Sequence, residues 1–306
     1  MIQSSQDLPS RDLKAAIVWS SLCLIWGSTW LFIKVGLEDL PPIGFAGLRF
    51  AVAVVPLFVL VLGRKIRPLP NRRDLWLMSW TGLLGIALPY GLVFWGEQHI
   101  SSGLAALLFA TFPLFGLLIA HFRVHTEPLT RARLLGAVVG LLGVGLVFSE
   151  ELASSSPLAL WGSIAVVISA IVAAYADVAI KASGNRLDPL LISLVQMTAG
   201  FIPLLTVGVV VEGSPLQYPW TPMALFSVFY LALVGSALAF VLFFWLVQRV
   251  AVTTAMLVVL VTPLVAVLLG VVFLHEPLTW RIAFGGFAIV GGVGFALLRT
   301  PASAPP

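Results

Sequence analysis

Charged residues are scarce in this chain. Asp, Glu, Lys and Arg make up 10% of its 306 residues, where soluble domains carry about 25%. With 60% hydrophobic residues and a mean hydropathy of +1.07, a water-soluble fold would lack the polar groups its surface needs. That excludes a soluble enzyme and a disordered chain. It excludes a nucleic-acid binder as well, because 17 Lys and Arg set against 13 Asp and Glu form no concentrated basic face. Cysteine is nearly absent: Cys23 stands alone, which excludes internal disulfides and any cysteine-based metal site. The four histidines, His99, His121, His125 and His275, all fall at the ends of apolar runs. His121 and His125 have the spacing of a helical metal pair, but they flank Arg123 without a carboxylate cluster, so a solvated face is expected and no metal. No glycine-rich loop ends in Gly-Lys-Ser/Thr, and no nucleophile–base pair stands out. Neither ATP coupling nor catalysis is expected, and no cofactor.

What the chain has in abundance is long uncharged apolar runs. Each is long enough to cross roughly 30 Å of hydrocarbon as a helix. Ten are legible: 14–34, 43–63, 75–96, 101–121, 133–149, 158–181, 190–211, 223–247, 252–274 and 281–298. The stretch 213–248 carries no charge, yet its prolines assign the opening GSPLQYPWTP to a loop. The first run has no small-residue cleavage site and is too long for a signal core, so it counts as a span. The expected fold is an all-α integral membrane protein with short loops. Fourteen of the 17 basic residues then fall on one side: Arg11, Lys14, Arg64, Lys65, Arg67, Arg72, Arg73, Arg123, Arg131, Arg133, Lys181, Arg186, Arg249 and Arg299. The other side holds Glu38, Asp39, Glu97, Glu150, Glu151 and Glu212 with only Lys34, Arg49 and Arg281. The positive-inside rule places both termini in the cytoplasm.

The two halves repeat one another. Trp95, Gln98 and Pro113 match Trp245, Gln248 and Pro263 at an offset of 150. Glu127-Pro128-Leu129-Thr130 matches Glu276-Pro277-Leu278-Thr279 at 149, as Gly136, Gly143 and Gly145 match Gly285, Gly292 and Gly294; Lys34 and Pro56 match Lys181 and Pro203 at 147. Five spans per repeat is an odd number, so the second repeat (151–306) lies inverted relative to the first (1–150). Secondary transporters use such inverted repeats, with substrate bound near the midplane between them.

Trp26-Gly27-Ser28-Thr29-Trp30 followed by Lys34, the Leu48-Arg49-Phe50 entry to span two, and the Glu-Pro-Leu-Thr joints before spans five and ten resemble EamA-type proteins of the drug/metabolite transporter superfamily. The resemblance covers roughly residues 14–299. It implies a ten-helix exporter of amino acids, related metabolites or drugs, its cavity lined by spans 1, 3, 4, 6, 8 and 9. The compact chain without targeting extensions points to a bacterial cytoplasmic (inner) membrane. The small multidrug relatives carry an acidic residue in span one for proton-coupled cation export; span one here has none.

Ionisable groups within spans are functional candidates because hydrocarbon penalises them. Asp177 can accept a substrate ammonium or a proton, or pair with Lys181 four residues on. Arg49 can bind a carboxylate or tie span ends together through Glu97 or Glu38; the tie is the favoured role. Trp26, Trp30, Tyr90, Trp95, Tyr175 and Trp245 offer stacking and cation–π contact, or serve as an interfacial belt. Ser28, Thr111 and Thr262 add hydroxyls. Pro89, Pro113 and Pro263 bend their spans, each freeing a carbonyl. Gly136-x-x-x-Gly140 and the glycines near 285–294 serve packing, within a monomer or across a homodimer. The expected activity is small-molecule export by alternating access, with proton exchange as one energy source. A drug or organic-cation exporter is the alternative, and a non-transporting assembly factor the alternative from another class.

Overall fold

The computed structural model describes residues 8–64, 70–123, 130–153, 156–182, 187–247 and 258–298. His125, Glu127 to Leu129, Arg186, Gln248, Arg249, residues 252–257 and Arg299 lie outside the described residues. The chain is a bundle of helices: α1 (Leu8–Gly36), α2 (Pro42–Gly63), α3 (Arg72–Glu97), α4 (Ser102–Phe109 and Phe112–Arg123), α5 (Arg131–Ala153), α6 (Pro157–Ala182), α7 (Pro189–Glu212), α8 (Pro222–Phe229, Tyr230–Leu238 and Ala239–Val247), α9 (Val258–Leu274) and α10 (Trp280–Leu298). Among the described residues, 7 helices are long and apolar enough to cross a membrane, and three shorter apolar helices, Leu134–Val147, Val261–Leu274 and Trp280–Phe295, accompany them. Residues 213–221 form a loop with one 3-10 turn, Pro215–Gln217, as their prolines predict.

Helix starts follow from local chemistry. Pro42, Pro157, Pro189 and Pro222 open their helices where a missing N–H costs nothing. Asn71, Ser101, Asp188 and Thr221 accept backbone N–H groups as N-caps. The bundle wears its apolar residues outward as well as inward: Val210 is 79% exposed and Phe287 78%. Lipid is the solvent that suits such a surface, since apolar patches this extensive are rare in water.

Two helices leave α geometry. Leu83–Ala87 in α3 and Tyr230–Leu238 in α8 are π-helical. In α3 the cause is Pro89, which has no N–H to give Gly85, so Leu88 N–H reaches back to Leu83 O. Contacts at these stretches pair by the same offsets as the sequence repeat. A Cβ on Gly85 would stand 3.2 Å from Ala176 Cβ, and one on Gly235 2.7 Å from Thr29 Cγ2; 85 and 235 differ by 150, 29 and 176 by 147. In the same way Gly143 abuts Gly285 and Ala288, while Gly292 abuts Gly136 and Gly140. The spacing of small residues lets α5 and α10 approach backbone to backbone.

Candidate functional site

One end of the bundle is sealed by polar ties between helices. Glu212, the last residue of α7, accepts the Ile43 and Gly44 N–H groups at 3.0 and 2.7 Å, satisfying orphan donors at the start of α2. Glu276 does the same for α4, accepting from Ser102 N–H at 2.6 Å and Gly103 N–H at 3.1 Å. His275 turns the chain back at the end of α9 with φ of 53°, and Glu276 N–H bonds Gly270 O at 3.1 Å. Gly270 has to be glycine for the Glu276 carboxylate to fit, because a Cβ there would overlap it. Lys34 Nζ donates to Glu97 O and Ile100 O at 2.6 and 2.7 Å, joining the end of α1 to the end of α3 and the turn that follows it. Thr221 Oγ1 donates to Asp39 Oδ2 at 2.5 Å.

Burial changes along the helices toward the other end. Every residue of α4 from Ser102 to Leu108 is buried, whereas Phe115 to Ile119 are half-buried on all faces and a Cβ on Gly116 would meet nothing within 4 Å. The α6 helix shows the same transition on one face. Trp161, Ile168 and Ile171 are exposed along its lipid side. At 3.6 residues per turn Ser163, Val166, Ala170 and Ala173 face the opposite way, into the bundle, and are buried. Asp177 continues that inner face, yet it is exposed. It lies five residues before the helix ends at Ala182. The Lys181 side chain lies outside the described residues, so the pairing expected for Asp177 does too.

The aromatic and hydroxyl candidates divide among three places. Trp26, half-buried in α1, packs on Phe243 and Phe240 of α8 with centroids 5.3 and 6.2 Å apart. Two residues on, Ser28 Oγ lies 2.6 Å from Tyr230 Oη of the π stretch. Trp30 is buried against Phe109 of α4, and Phe109 stacks on Phe112. Trp26, Ser28 and Trp30 thus bridge α1 to α8 and α4. Trp245, also half-buried, belongs to the same apolar cluster as Trp26. Tyr90 sits instead beneath Arg49, whose Cζ is 5.1 Å from its ring and 5.3 Å from that of Phe50. Arg49 is buried and donates from Nε to Ser236 Oγ at 3.1 Å, linking α2 to the α8 π stretch. Trp95 contacts His99 near the sealed end. Tyr175 is on the opposite flank of α6 from Asp177, beside Trp80, lining a cleft of about 200 Å³ with Leu77, Val178, Ala179 and Ala182.

Thr111 and Thr262 spend their hydroxyls on their own helices, donating to Leu108 O at 2.6 Å and Val258 O at 2.8 Å. Of the three prolines, Pro89 follows a π stretch and Pro113 a break at Ala110-Thr111, while α9 runs unbroken through Pro263. Sequence reasoning gave no role to Glu276, Glu212, Tyr230 or Ser236. The recurrence of Glu-Pro-Leu-Thr was the available signal for Glu276; nothing local marks Tyr230 or Ser236. Among the described residues no group of three His, Cys, Asp or Glu side chains is placed to hold a metal.

Comparison with known proteins bears on this geometry. A model of the EamA-like transporter family matches residues 13–149 and again 160–298. The chain is 30% identical over 274 residues to the uncharacterized transporter YoaV of Bacillus subtilis, covering 89% of this chain and 93% of that one. It is 36% identical over 260 residues to the uncharacterized inner membrane transporter YedA of Escherichia coli K12, covering 82% and 79%. A solved crystal structure superposes with a TM-score of 0.66 at 21% identity, over 93% of this chain and 98% of the other; at that identity the likeness concerns the fold alone.

Proposed function

The chain belongs to the EamA-like transporter family, and from that premise we propose that it is a secondary transporter exporting small metabolites, amino acids and related compounds first among them. Ten spans form two inverted repeats, 1–150 and 151–306, with both termini in the cytoplasm of a bacterial inner membrane. The sealed end is then the outer one, and the inner space opens to the cytoplasm. The observation that carries this reading is Asp177: a carboxylate on the bundle-facing side of α6, exposed where the helix leaves the sealed half. It receives the substrate ammonium, with Trp26, Ser28 and Trp30 supplying apolar and hydroxyl contacts across the space. Opening the outer ties while the cytoplasmic halves close delivers the substrate outward.

The test is efflux from proteoliposomes loaded with labelled neutral, aromatic and basic amino acids and an organic dication, with and without a pH gradient. Selective release of one amino-acid class is expected, and Asp177→Asn is expected to slow it about tenfold or more, the loss of one charge-assisted hydrogen bond. Dication efflux without amino-acid efflux would move the assignment to organic-cation export. No efflux of any compound would favour a non-transporting assembly role. Topology has its own check. Cysteines placed at Arg64 and in 301–306 are expected to label only from the cytoplasmic side; labelling from opposite faces would overturn the inverted arrangement.

A further inference from the structure

At the sealed end the Glu97 side chain is 0% exposed, and neither carboxylate oxygen has a hydrogen-bond partner. The groups around it are engaged elsewhere. From α1, Lys34 gives its ammonium to two backbone carbonyls, and Glu38 lies farther out, exposed. From α2, Arg49 holds Ser236 and lies over Tyr90 and Phe50. From the α9–α10 connection, Glu276 is bound to the α4 amides. His99, in the α3–α4 turn, faces Trp95. The outer halves of α4 and α6, residues 102–109 and 157–174, contain no titratable group; they contribute Ser102 and Ser163, whose buried Oγ atoms are themselves unpartnered. Four buried polar atoms in the outer parts of α3, α4 and α6 are thus unpartnered, two of them the Glu97 carboxylate oxygens.

A buried carboxylate without a donor costs several kcal/mol as an ion, whereas the neutral acid is buried at far lower cost. Water that enters on opening removes that cost, and Lys34 and Arg49, positive beside the same position, add to the preference for the ionised form there. The two conditions of the outer end thus differ by one proton at one atom. Resting on the alternating-access reading above, we propose that Glu97 is a proton-binding site whose loading from the outer solution accompanies closure of the outer end. In the cycle this is the return step. After substrate leaves outward, the Glu97 carboxylate takes one proton onto a carboxylate oxygen, loses its charge and can be buried; reopening gives that proton back to water.

Leu104, 2% exposed on the sealed stretch of α4, reports closure, and Leu216, 92% exposed on the α7–α8 loop, serves as an always-open reference. In a Cys23→Ser background, labelling of Leu104→Cys by a membrane-impermeant thiol reagent, divided by that of Leu216→Cys at the same pH, should rise about tenfold or more from acidic to alkaline outer pH. Glu97→Gln, neutral at every pH, should label slowly throughout. A ratio that does not change with outer pH in the parent protein would overturn the proposal, as would an unaltered pH dependence in Glu97→Gln. If Leu104→Cys stays protected from pH but is exposed by an amino acid, the Glu97 site fails and alternating access stands. Protection under every condition, amino acids included, would sink both. Should Glu97→Gln not fold, infrared difference spectra decide the matter: the protein at acidic pH should show a carboxylic-acid carbonyl band that shifts in Glu97→Asp, and absence of that shift overturns the assignment.

Discussion

Glu276→Ala is expected to unseal the end of the bundle that the polar ties hold together. The carboxylate accepts from two backbone N–H groups, Ser102 and Gly103, both on buried residues. Hydrogen bonds to a charged group contribute about 1.5–3 kcal/mol each, and a buried donor left unpaired pays its full desolvation cost. Alanine removes both acceptors together, and with them the only described tie from the α9–α10 connection to the start of α4. Labelling of Leu104→Cys, relative to Leu216→Cys, should rise by roughly tenfold or more, the equivalent of about 1.4 kcal/mol on the open–closed equilibrium. Glu276→Gln keeps one acceptor oxygen and should lie between. Unchanged protection in Glu276→Ala would mean that apolar packing, not these hydrogen bonds, holds the end closed.

The second large effect is expected where α3 and α6 touch backbone to backbone. A Cβ on Gly96 would stand 2.7 Å from Gly162 O, and one on Gly162 would stand 2.8 Å from Gly96 O. Neither carbonyl can move without breaking its own helix, so the helices must separate. Overpacking of this kind costs about 1–3 kcal/mol for one methyl, and Gly96→Leu should leave little folded protein. Because each glycine faces the other, the double alanine variant should cost less than the sum of the singles. The control is Gly145 in α5, where a Cβ meets nothing within 4 Å; Gly145→Ala should be neutral or stabilise the helix by up to about 1 kcal/mol. Apparent melting midpoints in one detergent would separate the two classes, and equal midpoints for Gly96→Ala and Gly145→Ala would contradict the close approach.

These two sites differ in how far the sequence announces them. Glycine at 96 and 162 is visible, but the chain has 27 glycines, and only the crossing of α3 with α6 distinguishes these from Gly116 or Gly145. Glu276 announces itself through a repeated motif, yet the motif says nothing about an acceptor for α4. Lys34 reads as a charge near a span end, and only its two carbonyl contacts reveal a tie. Arg49 is the clearer case: a lone guanidinium two turns inside an apolar run calls for a partner on chemical grounds. The expected partners were Glu97 or Glu38, whereas the observed donor bond goes to Ser236 of α8, because the π stretch carries that hydroxyl toward α2. Tyr175 and Asp177, two residues apart, shared one list of cavity candidates; helical periodicity puts them on opposite flanks of α6, and only the neighbours reveal which flank faces lipid.

The amino-acid order alone determined that this is an all-helical membrane protein with short connections, and where its apolar helices run. The reason is physical: hydrocarbon offers no partner for a backbone N–H or C=O, so an uncharged run of about 20 residues has one stable solution. It also determined that two halves share a pattern, since offsets in the chain require no coordinates. The tertiary structure decided which end is sealed, which polar side chains find partners, and which carboxylates are left out. Those depend on atoms brought together from residues 60 to 200 positions apart, as Lys34 meets Glu97 and Ser28 meets Tyr230, and no local rule fixes such distances. Burial of Glu97 beside committed cations, and exposure of Asp177 on an inward face, are facts of packing. They separate charged residues that the sequence presents alike.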